Sequence, residues 1–185
     1  MPEIKLSMSP DEVDRIISGR LNMLKKEPLL FCKSAYAPDT SHFFIVKDPE
    51  SSLEVKVIYN PMHMVAHKMF CASATSLGIF VDDFFTSLPN NLRKAVLMHE
   101  IYHIKNKDLS IINMMRYSMG NRDHVERSAD MYALKHASAS SIYDALTEIS
   151  VKMPKSLFGK SEKMYQRAIE DLVNRADLIR KIKLN

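Results

Sequence analysis

His99-Glu100-Ile101-Tyr102-His103, set within the run from Leu92 to Lys105, is the stretch on which the reading of this chain turns. Two His at i and i+4 stand about 40° apart around a helix, so both imidazoles can reach one cation. Glu100 follows the first His and can reach a water on that cation. Zn²⁺ suits this spacing: it lowers the pKa of a bound water to about 7, and a carboxylate beside it can take the proton. Leu92, Val96, His99 and His103 recur at helical spacing, and Leu97, Ile101 and Ile104 form a second stripe beside them. A helix apolar on two faces is a buried central helix. Burying two His and a Glu there without a partner is costly, and a metal removes that cost. Pro89 marks the helix start, with Ser87 as its expected cap.

Two His leave a catalytic zinc site short of its usual three protein ligands. Downstream runs Glu126-Arg127-Ser128-Ala129-Asp130-Met131-Tyr132-Ala133-Leu134. Glu126 and Asp130 are four apart and share a helical face. Glu126 can serve as the third ligand. Asp130 can accept the N–H of a liganding His and fix its tautomer. Taken alone, this acidic pair reads as a solvated helix face; following HExxH, it reads as the completion of the site.

HExxH followed by ExxxD is similar to the gluzincin pattern. The segment 126–134, ERSADMYAL, resembles the ExxAD helix of peptidases related to HtpX and the CAAX prenyl proteases. Residues 71–82, CASATSLGIFVD, resemble the hairpin that those enzymes place before the active-site helix. The likeness covers roughly residues 55–150. It implies a zincin-like zinc endopeptidase with His99, His103 and Glu126 as metal ligands, Asp130 beside them and Glu100 as general base. The chain departs from that family in two ways. It has no apolar run near the ~18 residues that a membrane span requires. It also lacks the His-Pro-Pro segment and following Arg that help to stabilise the oxyanion. Tyr165, Arg167 and His136 are the substitutes that the sequence offers.

The 185 residues suit one domain, 1–185, with an N-terminal helix and strands in 1–54, a zinc-site core in 55–150 and a basic C-terminal helix in 151–185. Hydrophobic content of 46% and charged content of 26% are ordinary for a soluble protein. The N-terminus has no basic-then-apolar layout of a signal peptide, and Cys32 and Cys71 form no CxxC. A reducing, cytoplasmic setting is therefore expected, with both Cys as packing residues. The net charge of +4 resides in residues 155–185, which hold eight Lys/Arg against four acids. Such a tail could touch nucleic acid, but it lacks interleaved aromatics and any reader motif. The preferred reading is a helix that packs Met164, Ala168, Leu172 and Ile179 on the core and leaves its cations in water.

Ser9-Pro10-Asp11-Glu12 opens a helix that ends near Glu27, ahead of Pro28. Leu29–Ser34, Phe43–Val46 and Leu53–Tyr59 read as strands, and Met69–Ala74 with Ile79–Val81 as a hairpin around Gly78. A second helix is expected at Leu109–Met119, before a turn at 120–123. Helix, then strands, then helices predicts an α+β fold with a small twisted sheet packed on the HExxH helix. A peptide or protein substrate could add as a strand to an exposed sheet edge, for which 78–82 is the expected candidate. Thirteen Met suggest core filling first and a Met-lined cleft second. His42, His63 and His67 receive no ligand role. Two functions thus compete. One is a soluble zinc metalloendopeptidase. The other is a catalytically inactive zincin-fold binding or assembly module that retains the metal.

Overall fold

The structure, a computed structural model, describes residues 31–37, 41–108 and 122–183. The expected helices at Ser9–Glu27 and Leu109–Met119 lie outside those residues. The fold is α+β. Five described strands, β1 (Phe31–Ala37), β2 (Ser41–Lys47), β3 (Glu54–Tyr59), β4 (Ala72–Thr75) and β5 (Gly78–Val81), form one sheet in the order β1-β2-β3-β5-β4. β3 and β5 run parallel and the other pairs are antiparallel. The helices are α1 (Pro61–Ala66), α2 (Asp83–Ser87), α3 (Asn90–Lys105), α4 (Arg122–His136), α5 (Ala139–Lys152) and α6 (Glu162–Lys183). No helix among the described residues is long and apolar enough to cross a membrane.

Alternation along β3 buries Val55 and Val57 and exposes Glu54 and Lys56, the period-two pattern of a strand with one wet face. The buried face of the sheet packs on α3 through Val57, Ile79, Val81, Leu97 and Ile101. α1 covers the opposite side of Ile58 and Phe80 with Met64. As a result all four residues of β5 are buried. This corrects the expectation for 78–82. β5 is paired on both sides, so its backbone is unavailable to a substrate, and among the described strands the edge beside it is β4. The reason is compositional. Gly-Ile-Phe-Val is the continuous apolar run of a central strand, whereas Ala-Ser-Ala-Thr suits an edge.

Two further expectations change. Ser87 does not cap α3; its hydroxyl donates to the Phe84 carbonyl at 2.7 Å and closes α2. Asp82 caps α2 by accepting the Phe85 N–H at 2.9 Å and also holds the Cys71 N–H at 2.8 Å. On α6, Leu172, Ala176 and Ile179 are buried, but Met164 is 61% exposed. Cys71 is a free, buried thiol whose ionisation burial suppresses. The turn after β2 holds a buried Asp48, which accepts the Tyr132 hydroxyl of α4 and lies 3.3 Å from Lys105 of α3. That contact pins the sheet to both metal-site helices.

Gly78 opens β5 with φ 138°, and a Cβ there would lie 2.4 Å from the Lys56 carbonyl oxygen of β3. A side chain cannot fit without moving the central strand pair. Gly78→Ala should therefore cost about 1–3 kcal/mol or more and lower Tm by roughly 2–12 °C. An unchanged melting curve would contradict this packing.

Candidate metal centre

α3 is helical because its apolar residues recur on two faces, burying Leu92, Val96, Leu97, Met98 and Ile101. The same periodicity sets His99 and His103 on adjacent turns, with Nε2 atoms 3.1 Å apart. α4 crosses α3 and presents Glu126, whose Oε2 lies 3.3 Å from His99 Nε2 and whose Oε1 lies 4.0 Å from His103 Nε2. One ligand atom from each of the three lies within 4.8 Å of the other two. Tetrahedral bonds of about 2.0–2.1 Å place neighbouring ligand atoms about 3.3 Å apart, so these spacings fit a single small cation. The donor chemistry fits as well, because two imidazoles and one carboxylate are a known catalytic zinc set.

Each imidazole is oriented from behind. Asp130 Oδ1 accepts the Nδ1–H of His99 at 2.9 Å, as its spacing from Glu126 predicts. Asp108 Oδ2 does the same for His103 at 3.1 Å. Both contacts leave Nε2 facing the cation position, the usual arrangement around a ligating His. Asp108 is absent from the sequence reading, and the way α3 ends explains its role. Asp108 N–H donates to the His103 carbonyl at 3.0 Å and Lys107 N–H to the Ile104 carbonyl at 3.1 Å, with Lys107 at φ 56°. This αL helix stop folds the chain back and returns the Asp108 carboxylate to the second His.

Arg175 of α6 is the other residue that the sequence reading misses. Its Nη1 donates to Glu126 Oε2 at 2.8 Å. Its Nε and Nη2 grip Asp130 at 2.8 and 2.7 Å. It is 8% exposed, so one cation of the basic tail is buried rather than solvated. The signal was present, since Arg175 falls on the same stripe as Leu172, Ala176 and Ile179. The three expected oxyanion candidates lie elsewhere. His136 pairs with Glu50 at 3.2 Å, Tyr165 packs edge-on against Phe158, and Arg167 is exposed.

Glu100 stands apart from this charge network. Its Oε2 accepts the Ala74 N–H of the edge strand β4 at 2.7 Å. It also lines a cavity shared with His99, Glu126 and Arg175. No family model, curated protein or solved structure matches this chain.

Burial opposes charge on His99, but hydrogen bonds to Asp130 and Glu126 outweigh it and hold its pKa up at about 10. Burial alone would raise the pKa values of Glu126 and Asp130. The His99 hydrogen bond and Arg175 prevail at Glu126, and the Arg175 and His99 hydrogen bonds prevail at Asp130, so both lie below the usual carboxylate range. The signs follow by linkage. The His99 contribution to the stability of the metal-free protein is full below its unfolded value of 6.5 and is lost as pH rises through about 10. The carboxylate contributions are present above their ordinary values and are lost on acidification. These hydrogen bonds favour a protonated His99 whose Nε2–H faces Glu126, a proton that a bound cation would displace. Calorimetric zinc titration at pH 8 in buffers of different ionisation enthalpy should show about one proton released per ion. Buffer-independent heats would contradict this reading of His99.

Proposed function

We propose that this chain is a zincin-like, zinc-dependent metalloendopeptidase. The observation that carries the reading is the convergence of His99, His103 and Glu126 within 4.8 Å, with Glu100 next to the first His but outside the ligand group. A purely structural site has no need of such a carboxylate. When bound, zinc supplies a Lewis acid that polarises the scissile carbonyl and brings a water's pKa to about 7. The protein's own part is positioning and proton transfer. His99, His103 and Glu126 would hold the ion. Asp130 and Asp108 hold the imidazoles. The Ala74 N–H fixes one Glu100 oxygen, and Glu100 takes the water's proton and returns it to the leaving amine. An extended substrate pairs with the free edge of β4, whose Ala74 already faces Glu100.

One observation favours the second reading, a metal-retaining binding module without activity. The Arg175 guanidinium is committed to Glu126 and Asp130, with Asp171 at 3.8 Å. No His-Pro-Pro segment supplies another oxyanion donor. Activity then depends on zinc as the electrophile. The two readings separate at Glu100→Gln. Gln keeps the shape but cannot carry the proton, and removal of a general base costs about 10²–10⁴ in rate. On a denatured protein substrate, wild type should cleave and Glu100→Gln should be silent, both with about one zinc per chain. A zinc-loaded wild type that cleaves nothing would establish the binding module instead.

A further inference from the structure

Beside Glu100 lies a cavity of about 230 Å³. Its walls are Val96 of α3, Ile142, Leu146 and Ile149 of α5, Met153 just beyond α5, and Leu172 of α6. Close-packed interiors leave few voids larger than a water. A cavity of about 150 Å³ lined by Leu, Ile and Phe stays dry and admits benzene. This one exceeds that size yet falls below the ~300–1,000 Å³ of pockets for whole small molecules. Its size suits one side chain.

The chemistry of the walls is as specific as their volume. The charged lining residues are His99, Glu100, Glu126, Asp130 and Arg175, all of the metal centre. His99, Glu126, Asp130 and Arg175 neutralise one another there. Ile142, Leu146, Ile149, Met153 and Leu172 carry no charge, so a charged side chain packed against them would lose its water and find no partner there. Ala72 of β4 also lines the cavity. Side chains of a strand laid along β4 alternate between faces, so one of two neighbouring residues can enter while the backbone stays paired.

We propose that this cavity is the specificity pocket of the site and that it takes one large apolar side chain, of Leu, Met or Phe size, adjacent to the scissile bond. The inference rests on the peptidase reading and adds the substrate class. Two wall residues set the fit. Ala145 is 4% exposed and gives the pocket depth by its smallness. Met153 is half-buried and forms an adaptable wall.

The test is cleavage-site profiling of a proteome-derived peptide library by the zinc-loaded protein. Wild type should favour Leu, Met and Phe at one fixed position beside the cut. Ala145→Leu, which fills the pocket, should move the preference to Ala, Ser and Gly and lower kcat/KM for a Leu peptide by about 10-fold or more. Met153→Ala should move it toward larger rings, and its partly exposed position keeps the test open if Ala145→Leu does not fold. Binding supplies a readout without turnover. Leucine hydroxamate should bind zinc-loaded Glu100→Gln about 10-fold or more tighter than glycine hydroxamate, on the scale of burying one isobutyl group. Equal affinities, or a profile indifferent to side-chain size and unmoved in both variants, would overturn the pocket and leave the peptidase reading intact. No cleavage and no hydroxamate binding would remove the peptidase reading itself.

Discussion

Charge buried in an apolar core is the constraint around which the helical half of this protein is arranged. Glu126, Asp130 and Arg175 are each 8% exposed or less, and His103 is 9% exposed. Each would be strongly destabilising alone. They persist because each has a partner of opposite charge or a hydrogen bond. The groups come from three helices, α3, α4 and α6, and from the Asp108 turn after α3. Removing the helix that carries Glu126 and Asp130, or the one that carries Arg175, breaks ion pairs held in low dielectric. The ligand side chains are therefore held in place by their own hydrogen bonds and ion pairs.

The same constraint separates the ion-paired carboxylates from Glu100. Asp130 and Arg175 are fully engaged with each other, while Glu100 accepts one backbone N–H from β4. Glu126 and Asp130 are ion-paired to a guanidinium, and ionisation is what keeps those pairs together. The edge strand thus meets Glu100 and the apolar cavity on one side of α3, which is where the proposed peptidase reading puts substrate backbone and proton transfer.

Local periodicity made much of this legible in the sequence. The HExxH helix follows from two interleaved apolar stripes, and the Glu126–Asp130 pair from its spacing of four. The hairpin around Gly78 was visible in its turn residue and flanking apolar runs. What was not legible depends on tertiary neighbours. Arg175 meets its partners 45 and 49 residues back in the chain. Asp108 reaches His103 only because the αL stop at Lys107 reverses the chain. The position of β5 was misread because chain order brings 78–82 close to the HExxH helix, whereas its unbroken apolar run already marked it as central. Met164 was placed on the core by helical spacing alone, but the buried stripe of α6 begins farther along, at Leu172.

Whether the three side chains hold one metal ion is tested most directly by crystallising the zinc-incubated protein and collecting anomalous data on both sides of the zinc edge. The expected result is a single strong peak bonded to His99 Nε2, His103 Nε2 and a Glu126 oxygen at about 2.0–2.2 Å, with Arg175 still on Asp130. A map with no peak at that position, or with zinc bound through other residues, would contradict the metal centre and the function built on it.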